Sequence, residues 1–334
     1  MFDRRQGRTY KQTTAMLDAV RTLRLVFVTG KGGVGKTAVA AALATAAARS
    51  GRRTLLVEVD PFGRLGEYLG GLTPAPEPAE LSPTLAVAAI APDVIMEEFL
   101  VGMLRIRALA RRLLASHTFR VVSAAAPGLE DFLTLVRVAG WESARVGLRG
   151  RRPRWDLVVV DAPATGHSVP LLATPNTLLK MLPFGPLASS ARDLALLLRD
   201  PDRTAALVVT RPEEMVVNET IELATALMRT GIALLPPIVN ALAPLRLTRE
   251  DARRLRSEPP DVPGSFLPYL PAGRFALARQ RAADRQIRRL GRALDTRPLG
   301  LPQVPAARFG RIAVEQLADE LVAIGPAMRV RYAS

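Results

Sequence analysis

The octapeptide Gly30-Lys31-Gly32-Gly33-Val34-Gly35-Lys36-Thr37 constrains this chain more than any other segment. The apolar run LRLVFVT (23–29) precedes it, and an alanine-rich stretch reaching about Ser50 follows. That context predicts a buried strand, a tight turn and a helix, in that order. The spacing G-x-x-x-x-G-K-[ST] between strand and helix is a phosphate cradle: glycines let backbone N–H groups turn inward, and the helix N-terminus adds partial positive charge. In this reading Lys36 contacts the β- and γ-phosphates of a nucleotide, and Thr37 offers its hydroxyl to Mg²⁺. Gly30, Gly32, Gly33, Val34, Gly35 and Ala38 complete the cradle. Such a loop needs one lysine, and this one also carries Lys31.

The rest of the chain alternates in the same way. TLLVEVD (54–60), TLAVAAI (84–90), DLVVVD (156–161), AALVVT (205–210) and LLPPIVN (234–240) read as buried strands. Helical patterns separate them, over about Pro92 to Arg149, over 178–198 with prolines interrupting, and over 218–230. A basic amphipathic helix follows the proline-rich segment 259–271, with its arginine face read as solvated. Strands alternating with helices predict an α/β fold, a mostly parallel sheet covered on both faces. The expected organisation is one domain over 1–334, with helical insertions at about 92–150 and 176–204.

Composition narrows the function classes. The chain has 334 residues and no cysteine, which excludes disulfides, thiolate metal sites and a cysteine nucleophile. The N-terminus lacks the apolar stretch of a secretory signal, so the expected location is the cytoplasm, with a peripheral position at the inner face of the membrane allowed. The net charge of +15 invites a nucleic-acid reading. Against it, the positive residues are almost all dispersed arginines and aromatics make up only 5% of the chain. Lysine is scarce (Lys11, Lys31, Lys36 and Lys180), yet two of the four share one loop.

That pair resembles the deviant Walker A motif K-G-G-x-G-K-[ST] of P-loop ATPases. It is shared by the MinD/ParA partition ATPases, the nitrogenase iron protein, and the arsenite-pump and tail-anchored-protein-targeting ATPases. The resemblance implies a doubly wound P-loop NTPase sheet and a nucleotide-sandwich dimer in which the early lysine, Lys31, reaches the partner's phosphates. There it would act as an arginine finger does. The iron-protein branch needs cysteine ligands and is excluded.

Other segments resemble the arsenite-pump and tail-anchor branch. DAPATGHSVPLL (161–172) is similar to its segment D-T-A-P-T-G-H-T-x-x-L-L. This implies that Asp161 helps hold Mg²⁺ through water and that Thr165, Gly166 and His167 form a switch. LLVEVDPFGRLGEYLG (55–70) is similar to the first switch, with Asp60 orienting the attacking water and Pro61 fixing the chain direction. IVNAL (238–242) implies that Asn240 reads adenine, hence ATP.

The function implied is an Mg²⁺-dependent ATPase, working as a homodimer or with a paralogous chain and coupled to a membrane protein client or an integral membrane partner. The absent cysteines rule out the branch's metalloid and zinc sites. A candidate client groove involves 94–116 and 178–198, including Met96, Met103, Met181, Leu182, Phe184 and Leu187. The alternative is a MinD/ParA-like partition or positioning ATPase that binds DNA or membrane, although the acidic and apolar last helix fits neither partner.

Overall fold

A computed structural model describes residues 16–59, 63–104, 128–147, 150–243, 247–255, 268–306 and 309–323, besides the single positions 106, 108, 112 and 116. The expected first-switch residues Asp60 and Pro61 lie outside the described residues, as do the side chains of Met103 and Thr165.

At the centre is β1 (Leu25–Gly30), buried at every position and paired in parallel with β7 (Leu157–Asp161) on one side and β8 (Thr204–Thr210) on the other. β2 (Thr54–Glu58) and β4 (Leu85–Ala89) extend the sheet beyond β7, and β10 (Ile238–Leu242) and β11 (Leu299–Pro302) extend it beyond β8. These pairings are parallel; only the edge strand β3 (Ala79–Ser82) runs antiparallel, beside β4. A short strand β9 (Ala233–Leu234) also pairs with β8. The central strands are near-continuous Val, Leu and Ala because both faces of a parallel sheet are covered.

One face packs on α2 (Lys36–Arg49) and the last described helix, α11 (Arg311–Ala323). The alanines of α2 let the two helices and the sheet approach closely, and ten of its fourteen residues are buried. The short helices α1 (Met16–Ala19) and α3 (Leu65–Tyr68) join this layer. The opposite face carries α4 (Pro92–Leu104), α5 (Leu129–Ser143), α6 (Thr165–Met181), α7 (Pro186–Arg199), α8 (Glu214–Thr230) and, beyond the short α9 (Arg249–Arg254), α10 (Leu270–Ala293). The α/β, mostly parallel, doubly wound architecture is as expected.

Three local expectations change. The helical reading to Arg149 stops at Ser143, where a two-stranded ribbon of β5 (Arg145–Val146) and β6 (Arg152–Pro153) begins. Gly147 and Gly150, at φ 87° and 61°, supply left-handed turns that a helix cannot absorb. The second helical segment starts at Thr165 rather than 176 and runs through Pro170 and Pro175. Within the expected groove, Met96 is 6% exposed in the main core and Leu187 packs against it, whereas Met181, Leu182 and Phe184 face solvent.

Candidate active site at the end of β1

The cradle forms where the connections diverge. From β1 the chain crosses to β2 on one side, while β8 takes the place on the other, so the loop after β1 opens into the crevice at the strand ends. Two glycines are demanded there by geometry. A Cβ on Gly30 would come within 2.2 Å of Val209 O, because β1 and β8 are in close register. Gly35 has φ 94° and a Cβ there would meet Asn240 Nδ2 at 2.3 Å. Helix α2 starts directly after Gly35, with no side-chain cap and no acidic residue in its first turn. Its N-terminal N–H groups are therefore aimed at the loop, ready for an anion.

Around this loop the expected residues gather. Lys36 folds back so that Nζ donates to Lys31 O at 3.3 Å, across the loop it would serve. Thr37 stands in the first turn of α2, followed by the buried Ala38. Asp161 ends β7 beside Val28 and is 5% exposed. By the pleat its side chain points with Leu157 and Val159 towards the layer that holds α2. Among the described residues no group of three or more His, Asp or Glu side chains could cage a metal. Mg²⁺ would instead arrive on nucleotide phosphates, with Thr37 and Asp161 as its protein ligands, the mode usual for this ion. The uncapped helix start and the glycine cradle fit that group.

Asn240 is 9% exposed, and its Nδ2 donates to Val34 O at 2.9 Å. One amide hydrogen thus braces the loop, leaving the carbonyl oxygen and the second hydrogen for a base edge. Thr165, Gly166 and His167, expected to form a switch, make the first turn of α6 after Ala164. The loop before them is tied to the cradle strand where Ala162 N–H donates to Val28 O at 3.0 Å. His167 is exposed and acts electrostatically on Asp131 of α5. Burial raises the Asp131 carboxyl above the usual range, while His167 pulls it down and Glu130 pushes it up.

Two residues were missed. Glu58, 5% exposed at the end of β2, accepts from Leu65 N–H at 2.9 Å and so anchors α3, on the far side of the first-switch segment. A carboxylate in a run of Val and Leu was the available signal. Glu219 of α8 takes the extra lysine: Lys31 Nζ lies 2.5 Å from Glu219 Oε1, and each side chain is roughly a third exposed (36% and 37%). A separation of 188 residues gives no local pattern from which to find it.

Similar proteins give the family. The anion-transporting ATPase family, known as ArsA ATPases, matches residues 23–185, from the start of β1 past the T-G-H turn. The chain is similar to the ATPase BagA of Mycobacterium tuberculosis, 31% identical over 237 residues, covering 69% of this chain and 68% of that one. It is also similar to the ATPase GET3C of Arabidopsis thaliana, 27% identical over 263 residues, 64% of this chain and 66% of that one. To the ATPase ASNA1 homolog 1 of Paramecium tetraurelia it is 28% identical over 172 residues, 48% of this chain and 46% of the relative. With a phosphate cradle at the switch point of its sheet and a relative of this similarity matched over two thirds of its length, the chain belongs to the ArsA-like ATPase family and is an ATP hydrolase.

Proposed function

We propose that this ATPase hydrolyses Mg²⁺-ATP in a nucleotide-sandwich dimer and couples the cycle to a membrane protein client or an integral membrane partner. The observation that carries the reading is the direction of Lys31. Its ammonium turns outward to Glu219 on α8, while Lys36 alone lies across the cradle. A cation held at the rim and partly in water is poised to serve phosphates other than its own chain's.

The roles follow from position. The cradle of Gly30 to Ala38 and the start of α2 hold the phosphate tail, and Lys36 neutralises its terminal oxygens. Thr37 and Asp161 hold the Mg²⁺, which screens the phosphate charge. Asp60 orients the attacking water, with Glu58 fixing the chain that follows it. Asn240 presents its remaining amide groups to adenine. Lys31 from the partner stabilises charge as the terminal phosphoryl departs. The T-G-H turn opens α6, and His167 beside Asp131 links it to α5, so a change at the γ-phosphate can reach the helical layer. At the far end of α6 the exposed Met181, Leu182 and Phe184 give a client an apolar edge.

The partition reading loses ground on one observation. Its expected anchor is an amphipathic last helix, but the last described helix, α11, buries Val314, Leu317 and Leu321 against the core, so that face is spent on the fold. Light scattering of the whole chain with and without Mg²⁺-ATP tests the proposal. ATP should convert wild type into a dimer and leave Lys31→Ala monomeric. A wild type that stays monomeric while turning over at full rate rejects it.

A further inference from the structure

We infer that the outer face of α10 is a docking surface for an anionic phospholipid bilayer. The helix carries seven arginines and one carboxylate, Asp284. Five of them, Arg274, Arg281, Arg285, Arg288 and Arg292, follow spacings of seven, four, three and four. At about 100° per residue this is a single straight seam, about 27 Å long. All five are exposed, while Leu277, Ile287 and Leu290 hold the other side of the helix in the core.

The seam differs from several other arginines of the surface, which face carboxylates. Elsewhere Arg49 faces Asp319 and Glu315, Arg53 faces Asp156, Arg137 faces Glu77 and Glu98, and Arg311 faces Glu315. For the five guanidiniums of the seam no ion pair is found among the described residues. Instead Arg281 with Arg285, and Arg288 with Arg292, repel each other at helical neighbour spacing. Arg274 Nε donates to Leu255 O at 3.0 Å. Asp284 stands three residues from Arg281 and four from Arg288, which offsets part of the repulsion. A polyanionic partner would remove the rest.

Geometry favours a bilayer over a duplex. Reading DNA bases calls for an element that projects into a groove. α10 packs along α8, and its arginine seam runs straight along the outer side. Lipid headgroups diffuse laterally and can match such a row. At the start of the helix Tyr269 and Phe275 are 70% and 65% exposed, with the Arg279 guanidinium 6.0 Å from the Phe275 ring centre. Aromatic side chains beside cationic ones suit the water–lipid boundary. At the other end a recess of about 730 Å³ is bordered by Arg288, Arg292, Arg297 and Thr296, with the carboxylate of Asp295 also on its rim, so its charge is positive on balance.

Flotation of the whole protein with vesicles tests this independently of dimerisation. The wild type should bind vesicles of equal parts phosphatidylcholine and phosphatidylserine, release them as salt rises, and ignore pure phosphatidylcholine. Exchange of Arg281, Arg285, Arg288 and Arg292 for Gln should lower the partition constant by at least about a hundredfold, from about fivefold per arginine. Thermal melting should remain as in wild type. A matched variant with Gln at the exposed Arg21, Arg145, Arg151 and Arg152 should lose far less. Equal losses in the two variants would mean diffuse charge and overturn the inference. So would undiminished binding by the seam variant, or seam-dependent binding to duplex DNA without binding to the vesicles.

Discussion

Lys31 and Glu219 form an ion pair of 2.5 Å between the phosphate loop and helix α8, within one chain. The lysine that distinguishes this loop is thus already engaged, and any contact with a second protomer must exchange one carboxylate for phosphate oxygens. Because both partners are roughly a third exposed, the pair is worth at most about 1 kcal/mol. A nucleotide phosphate can outcompete it.

Glu219→Gln therefore separates holding from catalysis. Its melting temperature should stay close to that of wild type, and dimer should form at lower ATP concentration, read by light scattering. Lys31→Ala should instead lose turnover by about 10³-fold, the scale of a missing trans cation. If Glu219→Gln loses turnover to the same extent, the glutamate belongs to the reaction and not to the resting state.

Crowding at Gly35 gives a second outcome. Gly35→Ala meets both a left-handed backbone and the amide of Asn240, whereas Gly33→Ala, at φ 81°, has nothing within 4 Å of the new methyl. The Gly33 change should cost about 1–2 kcal/mol in urea denaturation, the backbone contribution alone. Gly35→Ala should cost more and abolish nucleotide binding. Adding Asn240→Ala should recover part of the stability, since the clashing atom is then gone.

At the opposite end of the sheet, Glu142 is 1% exposed and receives Arg24 Nε at 2.6 Å and Arg203 Nη2 at 2.7 Å. Replacing it by Leu leaves two cations facing an apolar side chain. The expected loss is about 3 kcal/mol, the low end for a broken buried pair because Arg203 is partly in water. Turnover per folded molecule should be unchanged, since the cluster lies at the strand starts, away from the cradle.

Two carboxyls set opposite pH responses. Burial pushes the Asp156 carboxyl up, but hydrogen bonds from the Arg53 side chain and backbone, with the charges of Arg53 and Arg52, outweigh it and hold it below the usual range. A lowered folded pKa contributes stability above the unfolded value, about 3.9, and loses it as pH falls through the folded one. Asp156→Asn should flatten the acid limb of a urea-midpoint profile. Asp131 is raised, so its ionised form weighs against the fold above its folded pKa. Asp131→Asn should stabilise at neutral pH, and weaken any response of α5 to nucleotide followed by hydrogen exchange.

Most parallel strands and the cradle were legible because each is a continuous apolar run, with those of β1, β2 and β7 closed by glycine or aspartate, a signal contained within a few residues. β11, four residues preceded by one proline and ended by another, was missed. The edge strand β3 was not, since its half-buried alternation sits inside a proline-rich stretch. The start of α6 at Thr165, ahead of the expected 176, was not legible because Gly166 and Pro170 disfavour helix; packing of Leu171 and Leu172 into the core overrides both. The pairing of Lys31 with Glu219 and the bracing of Val34 by Asn240 are tertiary facts between distant segments. So is the scarcity of carboxylates facing the α10 seam among the described residues, where the amphipathic pattern itself was plain.

The packing of α11 on α2 has a consequence for biosynthesis. The helix that starts at the nucleotide is covered by Val314, Leu317 and Leu321, and Arg49 near its end is tied to Asp319 at 2.8 Å. In a nascent chain the side of α2 that faces α11 therefore stays uncovered until residues near 321 have emerged from the ribosome, so this layer of the fold closes long after α2 itself has been made.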